Sequence, residues 1–320
     1  MLRLLPTYTT SPLVRTRDPA ILSTCHTVVD VGAEYDASRN RYDHHQREFT
    51  TTFPGHSTKL SSAGLVYMHF GKDIIQTVTG LATGPDLDIL YEKIYTDFIE
   101  AFDANDNGVN AIAPKDLTSA GITKKFEDRG FSIASVVSRF NYAPSATGAP
   151  RDKADQAEED ARFLKASLFV GEQFLLELTD RAAAWLPARK IVAEAYSKRL
   201  EDDPQGRILV LHDGMPWADH LYGLEKEAPI PAGVAPQVLY VLFPESTEAD
   251  SKWRIRAVSK ENGGFENRKD LPDPWKGVRD EALDQVTGVP GCVFVHAAGF
   301  IGGNKTFQGA LEMAKKACDY

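Results

Sequence analysis

Short apolar runs and longer stretches of helical spacing divide the chain into recognisable elements. Positions 13–16, running into the charged cluster Arg15, Arg17 and Asp18, and the β-branched, apolar 27–31 predict two early strands, the first stopped by Pro19. The second is apolar on both faces, as suits a central strand in a sheet covered on both sides, and Gly32 then turns the chain into a third short strand over 41–44. Ser61 or Ser62 is placed to cap a helix running to about position 75, with Leu65, Met68 and His69 on one face. Between 85 and 105, Leu87, Leu90, Ile94, Phe98 and Phe102 recur at helical spacing and predict a longer helix with a buried stripe, closed by Gly108 as its C′ residue.

Beyond this the pattern loosens. Positions 140–160 are rich in Pro, Ala, Ser, Gly and charge, the composition of a linker. Helical spacing returns from about 154 to 200, broken near Pro187, and Phe163, Leu164, Leu168, Phe174, Leu175 and Leu178 read as core. Strands are expected at 207–211, 238–243, 253–258 and 291–296, followed by a glycine-rich turn (Gly299, Gly302, Gly303, Asn304) and a helix from about Phe307. A strand, a glycine turn and a helix N-terminus in that order form an anion site, although the spacing is not that of a phosphate-binding P-loop. The chain therefore divides into 1–140, a linker and helical connection over 141–206, and a C-terminal domain over 207–320. In that last part Trp217 and Trp275 sit in loops with Arg268, Lys269, Lys276 and Arg279. The tryptophans can pin long loops to a sheet, aromatic and basic side chains together can stack bases and hold phosphates, and the two readings are compatible.

The composition, 42% hydrophobic and 25% charged, is that of an ordinary soluble protein, and no apolar run approaches the roughly 20 residues of a membrane span. Three widely spaced cysteines without a CxxC pair argue against a disulfide framework and a thiolate zinc site. A net charge of −9 argues against a protein that coats nucleic acid through a general basic surface, while leaving room for a local basic groove. An enzyme that hydrolyses phosphate esters at bound cations tolerates an acidic total. No signal-peptide pattern opens the sequence.

The candidate chemistry lies in the first 110 positions. Asp30 ends the second apolar run, and Asp43, His44 and His45 follow after a short loop. Desolvating a lone carboxylate is expensive, so an acid at a strand end calls for a partner or a cation. Carboxylate and imidazole together suit Mn²⁺ better than Ca²⁺ or structural Zn²⁺. Asp103 and Asp106 fall near the C-terminus of the predicted 85–105 helix, where negative charge opposes the helix dipole by roughly 0.3 to 1 kcal/mol each unless a cation compensates. Each feature also has a simpler reading: adjacent histidines on a solvated loop, and a polar turn over 103–108.

Together the segments VRTRDP, VVDVG, RYDHHQREF, KLSSAGLVY, FDANDNG and VFVHA.GFIGGN resemble the melanocyte-proliferating-gene family over nearly the whole chain. That family is similar to a eukaryotic branch of the DHH phosphoesterases. The resemblance implies an α/β fold: a parallel sheet flanked by helices in the catalytic domain, and a smaller C-terminal α/β domain that grips substrate. It implies two Mn²⁺ or Mg²⁺ ions, Asp30 as the bridging carboxylate, His44 as a ligand of the second ion, His45 beside the scissile phosphate with Asp43 next to it, and Asp103 or Asp106 completing the second site. Arg268, Arg279, His296, Gly299, Gly302, Gly303 and Asn304 would contact substrate. The implied activity is 3′-to-5′ exonuclease action on single-stranded RNA in mitochondria and nucleus. The alternatives are a catalytically inactive RNA-binding or scaffold homologue, and a small-molecule phosphatase of the pyrophosphatase kind. Members of the family carry a strand and a His-Asn-Gly-x-Phe-His-x-Asp-Glu segment ahead of the stretch matching Met1 to Pro6. For the chain as given, an incomplete two-ion site, weak metal binding and reduced hydrolysis are therefore expected.

Overall fold

Asp18 accepts a hydrogen bond from the Ala20 N–H and, with Pro19 at the first helical position, starts α1 (Pro19–Thr24) instead of ending a strand. The strand expected over 13–16 does not form: Leu13 and Val14 lie in unpaired backbone and are 55% and 53% exposed. The computed structural model describes residues 1–123, 132–141, 156–227, 237–261 and 264–320. They form two compact units, Met1–Ala182 and Ala183–Tyr320. The expected linker over 140–160 falls largely outside the described residues.

In the first unit, β1 (Val28–Val29), β2 (Tyr35–Asp36) and β3 (Arg41–Tyr42) form a small sheet in the order β1-β3-β2. β3 runs parallel to β1 and antiparallel to β2, so among the described residues β3 is central and the 27–31 strand is an edge. The expectation of a central strand there rested on its apolar faces. Its pairing stops at once because Asp30 adopts a left-handed conformation (φ 67°) and turns the chain away.

α2 (Ser62–Thr79) is capped by Ser61, and α3 (Pro85–Ile94) runs through a π turn at Tyr95–Ile99 into α4 (Glu100–Asp106). Gly108 takes φ 69° just past the end, as a C′ residue should. α5 (Pro114–Ser119), α6 (Ile133–Asn141) and α7 (Gln156–Asp180) complete the unit. The core joins Leu65, Ile74, Leu87, Leu90 and Ile94 to Phe53, which stacks on Tyr95 at 3.7 Å between ring centroids. Phe174 and Leu178 of α7 enter this core as expected, but Phe163, Leu164 and Leu168 are 40 to 59% exposed. Their helical spacing gave no sign of which turns of α7 are covered.

The second unit begins with α8 (Leu186–Asp202), whose first turn takes Pro187. Five strands follow: β4 (Ile208–Val210), β5 (Tyr240–Pro244), β6 (Trp253–Ala257), β7 (Cys292–Val295) and β8 (Ile301–Asn304). Between them lie α9 (Ala218–Glu227) and α10 (Asp280–Thr287), and α11 (Phe307–Asp319) closes the chain. The sheet order is β4-β5-β6-β8-β7, parallel for β4–β5 and antiparallel elsewhere. One face, with Tyr240, Leu242, Ile255, Ala257 and Val295, packs on α11, α10 and Trp275. On the other, Leu209 and Val241 pack on Val192 and Tyr196 of α8 and Leu221 of α9. Trp275 is buried in the first of these cores and Trp217 packs on the second, so both tryptophans anchor loops. The chain is thus mixed α/β, and among the described residues no helix is long and apolar enough to cross a membrane.

Candidate metal centre

The segment from β1 to α2 folds so that its acids and imidazoles face one another. Asp30, Gly32 and Ala33 all take positive φ (67°, 97° and 51°), a tight reversal that brings the Ala33 N–H to Asp43 Oδ2 at 2.7 Å. The Asp43 carboxylate, 2% exposed, also accepts from the His45 N–H (3.1 Å) and lies 2.6 Å from His45 Nδ1. Burial alone would raise the Asp43 pKa, but the His45 and Ala33 hydrogen bonds outweigh it and hold the carboxyl below its usual value. A carboxylate at Nδ1 puts a proton on that nitrogen, so Nε2 of the half-exposed His45 ring keeps its lone pair. One ligand atom from each of Asp30, Asp43, His44 and His45 lies within 4.8 Å of the others.

The N-terminus of α2 orients the rest. A helix leaves its first N–H groups without intrahelical acceptors. Here the Ser62 N–H donates to His44 Nδ1 (3.1 Å), the Ala63 N–H to Ser61 Oγ (3.2 Å) and the Gly64 N–H to Asp103 Oδ1 (3.0 Å). With Nδ1 accepting, the neutral His44 ring carries its proton on Nε2, which stands 3.2 Å from Asp106 Oδ2. Asp30 Oδ1 lies 3.9 Å from His44 Nδ1. Burial, and then the like charge of Asp106, raise the Asp30 pKa, against opposing contributions from His45, Ser62 and His44.

Asp103 and Asp106, one turn apart, go to different places. Asp103 is fully buried and accepts four hydrogen bonds: Ser61 N (2.8 Å), Ser61 Oγ (2.7 Å), Gly64 N (3.0 Å) and Tyr95 Oη (2.9 Å). Asp106 is half-exposed and faces His44. The structure thus brings together Asp30, Asp43, His44, His45 and Asp106, and ties Asp103 to the start of α2.

Carboxylates and imidazoles make a donor set that could hold a divalent cation, and no thiol takes part. The 3.2 Å between His44 Nε2 and Asp106 Oδ2 is close to the roughly 3.0 Å between adjacent octahedral ligands at about 2.1 Å from such an ion.

In the second unit the expected substrate contacts scatter. Arg268 is buried, pairs through two nitrogens with Glu225 and donates to the Val238 carbonyl, so its guanidinium is committed internally. Asn304 is also buried: it donates to the Pro290 carbonyl and accepts from Thr306 at the start of α11. The glycine segment does not lead directly into that helix as expected. Gly299 (φ 71°) turns a hairpin, and Gly302 and Gly303 are strand residues of β8. Glycine is required there because a Cβ at Gly302 would meet Leu271 and the Phe294 carbonyl, and one at Gly303 would meet Trp253 O at 3.0 Å and Arg254 Nη1 at 2.5 Å. The exposed His296 packs on Phe300 at 4.5 Å, and Arg279 lies over Phe294 at 5.7 Å. Sequence reasoning weighed Ser62 only as a helix cap and passed over its place beside the His44 ring.

A family model, MYG1_exonuc, described as an uncharacterised protein family (UPF0160), matches residues 1–318. The human protein called MYG1 exonuclease is 44% identical over 323 residues, covering 98% of this chain and 80% of the human one. The MYG1 protein C694.04c of Schizosaccharomyces pombe is 43% identical and covers 100% of this chain and 92% of its own, and the MYG1 protein YER156C of Saccharomyces cerevisiae is 42% identical with 98% and 89% covered. No solved structure matches the chain. The chain belongs to the MYG1 exonuclease family.

Proposed function

We propose that the chain is a divalent-metal-dependent phosphodiesterase of the DHH type that acts as a 3′-to-5′ exonuclease on single-stranded RNA. The observation that carries the reading is the convergence of Asp30, His44 and Asp106 with the Asp43–His45 pair. The name of the human relative, an exonuclease, supports it. Direction, RNA preference and a mitochondrial or nuclear location rest on the family resemblance.

In this reading Asp30, His44 and Asp106 hold Mn²⁺ or Mg²⁺, which when bound activates water and neutralises charge on the phosphate. Were His44 to hold the ion through Nε2, its ring proton would sit on Nδ1, where Ser62 Oγ, 3.2 Å away, could accept it. Asp43 fixes the His45 ring with Nδ1–H toward it, so Nε2 can exchange a proton with the leaving oxygen. Asp103 serves by fixing the α2 N-terminus from which His44 is oriented.

The test is cleavage of labelled single-stranded RNA by the purified chain with Mn²⁺, comparing His45→Ala and Asp106→Asn. Loss of mononucleotide release by about 100-fold or more in each supports the proposal. Cleavage that survives chelation, or that stays at the wild-type rate in both variants, overturns it.

A further inference from the structure

One side of α7 is covered and the other is not. Phe174 and Leu178 enter the first unit's core, and Phe169 meets Phe140 of α6 at 5.9 Å between ring centroids. At 3.6 residues per turn, Ala161, Leu164, Leu168 and Leu175 fall within about 60° of one another and turn away from the buried Ala166 and Phe174. Leu164 is 44% and Leu168 59% exposed. Next to Ala161 in the chain, Asp160 pairs with Arg15, whose guanidinium also lies over the exposed Phe163 ring. That contact brings the exposed Leu13 and Val14 to the same end of the helix. Apolar side chains scattered singly on a surface need no partner, but a row of them along one helix with more beside it does.

Two features of this face serve no purpose within a single chain. Lys165 and Glu172 are exposed and lie seven residues apart along one edge of the row, beyond the i, i+3 and i, i+4 spacing at which helical neighbours pair. Among the described residues neither makes a hydrogen bond or an ion pair, whereas Arg162 on the same helix pairs with Glu158, and Glu177 with Arg181. Gly171 sits in the middle of α7, where glycine weakens a helix relative to alanine, yet a Cβ there would meet nothing within 4 Å.

We infer that this face of α7 is the contact between two copies of the chain, their α7 helices crossing antiparallel about a two-fold axis close to Leu168. In such a contact residue i of one copy meets j of the other, and j meets i. With the axis midway between Lys165 and Glu172, each lysine faces the other copy's glutamate, and one edge of the row supplies two ion pairs. A parallel crossing would set lysine on lysine and glutamate on glutamate. A partner of different sequence would need a matching row and the reverse order of charges; a second copy brings both. Leu164 of each copy then packs toward Leu175 of the other, and the missing Cβ at Gly171 leaves room for the other copy's Leu168. The net charge of −9 opposes association, so the apolar row supplies the affinity and the ion pairs the direction.

The experiment is sedimentation equilibrium of the full chain from about 0.5 to 50 μM, where a dimer has twice the 35.3 kDa of one chain. The wild type should show a reversible dimer. Leu164→Glu/Leu168→Glu should weaken it at least ~100-fold with an unchanged circular dichroism spectrum, since both positions are exposed. Lys165→Glu and Glu172→Lys should each weaken self-association about 10-fold or more, because like charges then face one another. Mixed in equal amounts, these two variants should pair as tightly as the wild type, and Lys165→Glu/Glu172→Lys in one chain should do the same, because both ion pairs re-form with their signs exchanged. A folding defect gives no such recovery. A wild type that stays monomeric at about 50 μM leaves the face to a different partner and overturns the proposal. So does a dimer that the leucine variant leaves intact, or a pair of charge variants that associate no better mixed than alone.

Discussion

Replacing Asp103 and Asp106 in turn should separate a carboxylate that holds the fold from one that faces the site. Asp103 accepts from two fixed backbone donors, Ser61 N and Gly64 N, and from two hydroxyls that can rotate, Ser61 Oγ and Tyr95 Oη. Asp103→Ala leaves the two backbone N–H groups buried without an acceptor, at about 1 to 3 kcal/mol each, so about 2 to 6 kcal/mol of stability should be lost in all. Asp103→Asn keeps an oxygen for three of the donors, and the Tyr95 hydroxyl can turn to accept from the new amide. Burial raises the Asp103 pKa despite its four hydrogen bonds, so removing the charge also relieves a desolvation cost, and the asparagine variant should lose no more than about 1.5 kcal/mol. Asp106→Asn, at a half-exposed position, should change stability by less than about 0.5 kcal/mol while lowering metal-dependent hydrolysis by about 100-fold. Gly64→Ala should resemble Asp103→Ala, because a Cβ there runs into both Asp103 carboxylate oxygens. Urea unfolding followed by far-ultraviolet circular dichroism measures these changes. Tryptophan fluorescence serves as a control, since Trp185, Trp217, Trp253 and Trp275 all lie in the second unit. An Asp103→Ala variant within about 1 kcal/mol of wild type would refute the assignment of that carboxylate to α2.

Three further outcomes are expected. Ser62→Ala removes the acceptor for the His44 ring proton and should weaken Mn²⁺ binding by about 10-fold or more in a calorimetric titration, with little change in unfolding midpoint; unchanged affinity would mean that Ser62 does not orient the ring. Glu225→Ala leaves the guanidinium of Arg268 buried without its carboxylate, and both side chains are 7% exposed, so about 3 to 5 kcal/mol should be lost in denaturant titration; a loss under about 1 kcal/mol would contradict the pairing. His56 lies between Glu92 (2.7 Å) and Glu100 (3.0 Å): burial favours its neutral form, but the two carboxylates outweigh burial and raise its pKa above 6.5. A raised folded-state pKa gives stability that is fully present below the unfolded value of about 6.5 and lost as pH rises through the folded one, so His56→Gln should flatten the pH dependence of the urea midpoint above neutrality. A wild-type-minus-variant difference that stays constant with pH would contradict this.

Much of the fold could be read from local chemistry. Ser61 as cap, the stripe Leu87, Leu90, Ile94 and Phe98, and four of the five C-terminal strands follow from spacing and propensity alone. β8 could not, because Ile-Gly-Gly-Asn reads as a turn. What makes it a strand is the close approach of Leu271 and Arg254, which leaves no room for side chains at Gly302 and Gly303. The two acids of the 103–108 segment were indistinguishable in sequence, since both sit near a helix end. The π turn at Tyr95–Ile99 and the α2 N-terminus decide which is buried, and both are tertiary facts. Arg268 invited a substrate role because it lies in a loop with Trp275 and other basic residues, and its pairing with Glu225, 43 positions away, is a tertiary fact.

Manganese binding observed directly by electron paramagnetic resonance bears most closely on the assignment of the site. Titrating Mn²⁺ into the purified chain should deplete the free-ion signal, and Asp106→Asn should weaken that depletion by about 10-fold or more, since it removes one of the three proposed ligands Asp30, His44 and Asp106. A free-ion signal unaffected by the wild-type protein, or depleted equally by the variant, would contradict the proposal that these side chains converge to hold a metal.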